Sequence, residues 1–146
     1  MTDPFDLQRF LDAQAPIYAR VVAELRRGQK QSHWMWFVFP QLAGLGHSAM
    51  AQRFAIASRE EAVAYLGHGV LGFRLKECTA LIMAVEGRTA REILGSPDDL
   101  KFQSSMTLFS AVSSDPEFSA ALAKFYGERP DQRTLDLLLP GGIRLA

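Results

Sequence analysis

The stretch "QKQSHWMWFVFPQLAGLGHS", Gln29 to Ser48, packs two tryptophans, two phenylalanines, a methionine and a valine into positions 34–39 and surrounds them with polar side chains. Pro40 disfavours helical geometry at the residue before it, and Ser32 is of a type that caps helix starts. The block therefore reads as a short helix from about His33 to Phe39. Its apolar side chains then point in every direction, and a helix apolar all round is buried all round. It is expected to be a central core helix, with Phe37, Val38 and Phe39 inside. An indole N–H needs an acceptor when buried, so Trp34 or Trp36 is the candidate for a pocket wall.

Helical signals continue on both sides. An amphipathic segment starts at Asp6, with Leu7, Phe10 and Leu11 on one face. Pro16 suits a first helical turn before "IYARVVAELRR", which Gly28 closes. Ser58 with Glu61, and Thr89 with Glu92, have the spacing of capping boxes. From about Val70 to Val85, Leu71, Leu75, Cys78, Ile82 and Val85 share one face. Ser96–Pro97 and Asp115–Pro116 are expected to start two more helices, and Asp131 a last one ended by Pro140 and Gly141. No segment alternates with a period of two between turn signals. These signals predict an all-α fold of roughly eight to ten short helices around the aromatic one. Without linker, repeat or low-complexity stretch, residues 1–146 are expected to form one domain, with its core at about 5–138 and a loose tail over 140–146.

A chain of 146 residues can bury a substantial core, and 48% hydrophobic with 22% charged residues is ordinary globular composition. Sixteen basic and sixteen acidic residues cancel, so no overall field draws nucleic acid or membrane, although Arg26, Arg27 and Lys30 form a local basic cluster. The one cysteine, Cys78, forms no intramolecular disulfide and fits a buried face better than a reactive thiol. The N-terminal "MTDPFDLQRF" has no secretory pattern and no apolar run is long enough to span a bilayer, so a cytoplasmic location is expected. Neither metal nor cofactor is implied, since His33, His47 and His68 lack the spacing of a helical metal pair. A monomer is expected.

The polar edge of the aromatic block is the candidate site. His33 shares a face with Trp36 and Phe37, while Lys30 and the helix start offer positive charge and free N–H groups to an anion. Gln41 and His47 follow Pro40, with Gly44 and Gly46 allowing close backbone approach and Ser48 a candidate helix cap. That G-x-G lacks the strand and third glycine of a dinucleotide fingerprint. After Ser96, Asp98, Lys101 and Ser105 form a polar stripe with Ser104 beside it, while Phe102, Met106 and Phe109 form a core face. The candidate ligand-binding residues are thus Lys30, Ser32, Trp34, Trp36, Gln41, His47, Lys101, Ser104 and Ser105, and the candidate catalytic residues are Asp98, Asp99 and His33. Each has a plain alternative: a solvated lysine, a satisfied core histidine, or small hydroxyls that permit close helix packing.

"QKQSHWMWFVFPQLAGLGHSAMAQRFAI", "YLGHGVLGFRLKECT" and "SPDDLKFQSSMTLFSAV" resemble the signature blocks of a bacterial family, domain of unknown function 1810, from about Phe5 to Leu138. The resemblance implies a compact, mainly helical domain. Such proteins often carry the name calpastatin, but calpastatin-type inhibitors are charge-rich, aromatic-poor segments that fold on their protease. Ten phenylalanines, two tryptophans and dense capping signals describe a chain that folds by itself. A weaker similarity is to the helical ADP-ribose N-glycosidases of NADAR type, which have a Trp-containing block followed by Glu-His-Tyr and Lys-Phe, and later a methionine before a Leu-Leu stretch. This chain offers Trp34 or Trp36, Met106, Lys124–Phe125 and Leu137–Leu138. It lacks the glutamate, which Asp98 or Asp99 would have to replace.

Three readings follow. The first is a domain binding a small-molecule or nucleotide-like ligand, with N-glycosidic hydrolysis of ADP-ribose derivatives as its catalytic form. The second is a non-catalytic protein-interaction module using an aromatic patch. In the third the aromatic block is purely core. A concave site with converging polar groups separates the first from the second.

Overall fold

The computed structural model describes residues 2–139; the tail from Pro140, and the helix stop assigned to Pro140 and Gly141, lie outside them. The helices are α1 (Gln8–Gln14), α2 (Tyr18–Arg26), α3 (Met35–Val38), α4 (Ala49–Arg53), α5 (Arg59–Gly67), α6 (Leu71–Met83), α7 (Ala90–Leu94), α8 (Asp98–Ala111), α9 (Pro116–Tyr126) and α10 (Gln132–Leu138). Among the described residues the only strand-like pairing is an isolated parallel bridge between Leu42 and Ile56. The fold is all-α, as the periodicity predicts.

Several helix starts are those the sequence marks. Thr89 and Glu92 complete a capping box, Ser48 and Asp131 accept from the third residue of their helices, and Ser58 accepts from the Glu61 N–H. The Glu61 carboxylate closes no box: it accepts from the Ala57 N–H and the Arg9 guanidinium. Other starts differ. Helix α1 begins after a turn in which the Asp3 carboxylate accepts from the N–H groups of Leu7 and Gln8, and Asp6 takes a positive φ of 51°. Neither Ser96 nor Asp115 caps its helix through its side chain.

The aromatic block is core, but less of it is helical than expected. Only Met35–Val38 forms α3, and Ser32 does not cap it. The Ser32 hydroxyl instead donates 2.6 Å to Glu24, a charge-assisted bond stronger than a neutral cap. Trp34, Met35, Phe37, Val38 and Phe39 are buried, with Trp36 half-buried at the edge.

Two runs of touching rings organise the interior. One passes from Phe118 through Phe109, Tyr65, Phe10 and Phe54 to Phe37; the other joins Trp34, Phe39 and Phe102 and ends on Phe125 and Tyr126. Each buried ring contributes about 1.5–3 kcal/mol by leaving water, and each well-oriented pair adds about 0.5–1.5 kcal/mol. Helix α8 lies between α5, α7, α9 and α10, while α6 packs on α2, α3, α5 and α9. Cys78 sits fully buried on α6, where burial pushes its thiol up to about 12. It packs as a small apolar residue.

Candidate functional site

Glu24 on α2 fixes the polar edge of the aromatic block. Only 2% exposed, its carboxylate accepts from the N–H groups of Gln31 (2.9 Å) and Ser32 (3.1 Å), the Ser32 hydroxyl (2.6 Å) and the Trp34 indole (2.9 Å). Burial alone would raise this carboxyl. The bonds from Ser32, Gln31 and Trp34 together outweigh it and hold the group at about 2. Trp34 thus has its acceptor and is fully buried, so it forms no pocket wall.

From Trp34 the charges alternate outward. Lys30, its side chain 8% exposed, lies over the Trp34 ring at 5.1 Å and pairs with Asp98 at 2.8 Å. Asp98 stands in the first turn of α8, where the helix dipole favours an anion. One turn further, Lys101 approaches the other Asp98 oxygen at 3.8 Å and lies 5.3 Å from the Trp36 ring centre. Lys30 and Asp98, distant in sequence, are therefore neighbours. With Lys30 and Lys101 on its two oxygens, Asp98 is suited to positioning cations and poorly placed to activate water.

Lys101 also lines a cleft of about 440 Å³ between the 41–51 segment and the faces of α8 and α10. That volume is within the range of small-ligand sites. Gln41, His47, Ser48, Lys101, Gln103, Ser104, Asp131 and Arg133 supply its polar lining, and Leu45, Gly46, Ala51, Pro97 and Leu100 the rest. The loop is held by bonds from Ala43 N–H to the Ile56 carbonyl and from Ile56 N–H to the Gln41 carbonyl, both 2.8 Å. A Cβ built on Gly46 would meet the Ala51 Cβ at 2.6 Å, so only glycine permits this approach. Arg133 reaches back to the Gly44 carbonyl at 3.3 Å, and Asp131 caps α10 by accepting from Thr134.

The sequence-derived candidates divide accordingly. Gln41, His47, Lys101 and Ser104 meet in the cleft, with Trp36 and Asp98 adjoining through Lys101. Ser105 does not: successive helical residues are about 100° apart, and Ser105 is fully buried while Ser104 lines the cleft. Ser32 and Trp34 serve Glu24. His33 is exposed and outside the cleft lining. Asp99 also stays outside that lining, and its backbone carbonyl accepts the Tyr126 hydroxyl. Among the polar residues of the cleft, sequence reasoning missed Ser48, Gln103, Asp131 and Arg133. The Asp131 cap was legible, but nothing local places α10 against α8.

Among the described residues no three His, Cys, Asp or Glu side chains converge as a metal-ligand set, and no helix is long and apolar enough to cross a membrane. The sequence matches, over residues 4–138, the model of a family described as protein of unknown function (DUF1810). A comparison with curated proteins returned no match. Among solved structures the chain is similar to the conserved hypothetical protein Rv1873 from Mycobacterium tuberculosis, with 59% identity over 93% of this chain and 98% of that one and a TM-score of 0.92. None of the three comparisons shows the similarity to the ADP-ribose N-glycosidases.

Proposed function

The chain belongs to the DUF1810 family, and because that description carries no activity, we propose from the geometry of its cleft that it binds a small, anionic, nucleotide-like ligand. The observation that carries this reading is the meeting of Lys101, Arg133 and His47, from three separate segments, in one cleft. Asp131, the carboxylate among the lining residues, is turned to its capping role. Lys101 and Arg133 take the anionic group, Arg133 through a planar fork suited to phosphate. Gln41 and Gln103 supply directional hydrogen bonds, while Trp36, outside the lining, keeps its ring face toward the Lys101 ammonium. On binding, Lys101 exchanges its weak contact with Asp98 for the ligand, while Lys30 keeps Asp98 paired.

Binding is favoured over N-glycosidic hydrolysis because Asp98 faces two ammonium groups. A recessed cleft with convergent polar groups favours a ligand over a protein partner, although Phe73, 63% exposed on α6, offers an apolar contact on another face. The test is a thermal-shift series with nucleotides and ADP-ribose derivatives. A ligand at ~100 times its Kd stabilises by about 2.7 kcal/mol, or roughly 5–10 °C at this size. Lys101→Ala and Arg133→Ala should remove the shift while leaving the unliganded Tm nearly unchanged. An unshifted protein across the panel, or variants that respond as the wild type does, would overturn the reading.

A further inference from the structure

On another face, the turn after α2 and the turn before α7 enclose a second cleft of about 380 Å³, lined by Arg26, Arg27, Gly28, Leu81, Ala84, Val85, Glu86 and Arg88. We propose that it is a polyphosphate-binding site, in which the guanidinium groups of Arg26, Arg27 and Arg88 hold a small multiply charged phosphate anion. The proposal is independent of the ligand assigned to the first cleft.

None of the three arginines has a carboxylate partner among the described residues. Arg27 donates a long 3.4 Å bond to the Gln31 side chain, Arg88 a 3.0 Å bond to the Glu92 carbonyl, and the Arg26 side chain makes no hydrogen bond or ion pair among the described residues. The acids nearest in sequence are occupied elsewhere. Glu24 faces inward to Trp34 and Ser32, Glu92 is closed into its capping box, and Glu86 stands 3.6 Å from Lys124. Three guanidinium groups therefore share one small cleft with a single carboxylate, Glu86, leaving a local excess of positive charge in a protein whose total charge is zero. Like-charge crowding is unfavourable unless an anion relieves it.

Helix C-termini attract cations, and that alone would account for Arg26 and Arg27. It does not account for Arg88, which directly precedes the Thr89 cap, at the helix end where a cation is disfavoured. Nor do the helix ends leave much unmet demand for cations. The Ala23, Glu24 and Leu25 carbonyls accept from Arg27, Gln29 and Gly28, and those of Met83 and Val85 accept from the Lys124 ammonium. The Arg26 guanidinium and the remaining N–H groups of Arg27 and Arg88 are thus left for an external anion, for which planar donor groups fit phosphate oxygens. A small polyphosphate matches the confined volume, whereas nucleic acid would call for a basic stripe extending beyond it.

Inorganic triphosphate, titrated calorimetrically into the full chain at low and high salt, is the probe. We expect a site whose affinity falls as salt rises, which persists when Lys101→Ala/Arg133→Ala disables the first cleft, and which binds at least tenfold more weakly in that background once Arg26→Ala/Arg88→Ala is added. Arg26→Ala alone should also weaken binding, and because that side chain has no hydrogen-bond or ion-pair partner among the described residues, an unchanged Tm should accompany the loss. Absence of binding at millimolar triphosphate, undiminished binding in the arginine variants, or loss confined to Lys101→Ala/Arg133→Ala would each overturn the proposal. So would tighter binding of a short oligonucleotide or acidic peptide than of triphosphate.

Discussion

Replacing Glu24 with glutamine keeps the side chain's shape but removes the charge on which Gln31, Ser32 and Trp34 converge. Held at about 2 against an ordinary 4.5, the carboxyl contributes on the order of 3 kcal/mol at neutral pH. A carboxamide also presents an NH₂ where the surroundings offer N–H and O–H donors, so the expected loss is about 2–4 kcal/mol. The pH dependence follows from the sign of the shift. The folded carboxyl titrates below the unfolded one, so its stabilisation is complete above about 4.5 and is lost as pH falls toward 2. Urea unfolding followed by far-UV circular dichroism should show the full gap between wild type and Glu24→Gln at neutral pH. The linkage relation leaves roughly half of it at about pH 3. A neutral-pH gap below about 0.5 kcal/mol, or one that does not narrow in acid, would refute the assignment of Glu24 as the anchor of this segment.

Two further substitutions test the packing. Gly72→Ala would place its Cβ 2.0 Å from the Leu66 carbonyl oxygen, a backbone atom with little freedom to yield; a cost of about 1–3 kcal/mol or more is expected from denaturant titration, and an unchanged midpoint would contradict the close approach. Phe109→Ala, which removes a fully buried ring between Tyr65 and Phe118, should cost about 3–5 kcal/mol, and a loss below about 1 kcal/mol would show that the ring run is not a core element.

Much of the fold was legible because its causes are local. Apolar spacing at three and four residues marks one face of a helix wherever that helix packs, and so Leu71, Leu75, Cys78 and Ile82 were readable as buried before any neighbour was known. Thr89 with Glu92, and Ser48 and Asp131, satisfy donors within their own first turns. Ser32 failed as a cap because Glu24, eight residues earlier, offered a charged acceptor that only the path of the chain brings near. The site depended still more on such encounters. Lys30 could be recognised as a candidate cation and Asp98 as a candidate carboxylate, but their 2.8 Å pairing exists because α8 packs beside the segment that carries Lys30. Arg133 joins His47 and Lys101 only because α10 lies along α8, and Arg88 reaches the same cleft as Arg26 only because the end of α6 returns to the end of α2. The sequence by itself determined helical class, most helix faces and the burial of the aromatic block, since these follow from periodicity and local hydrogen bonding. The partners of each charge were decided by tertiary structure, because electrostatic interactions depend on distance in space and helix packing sets those distances.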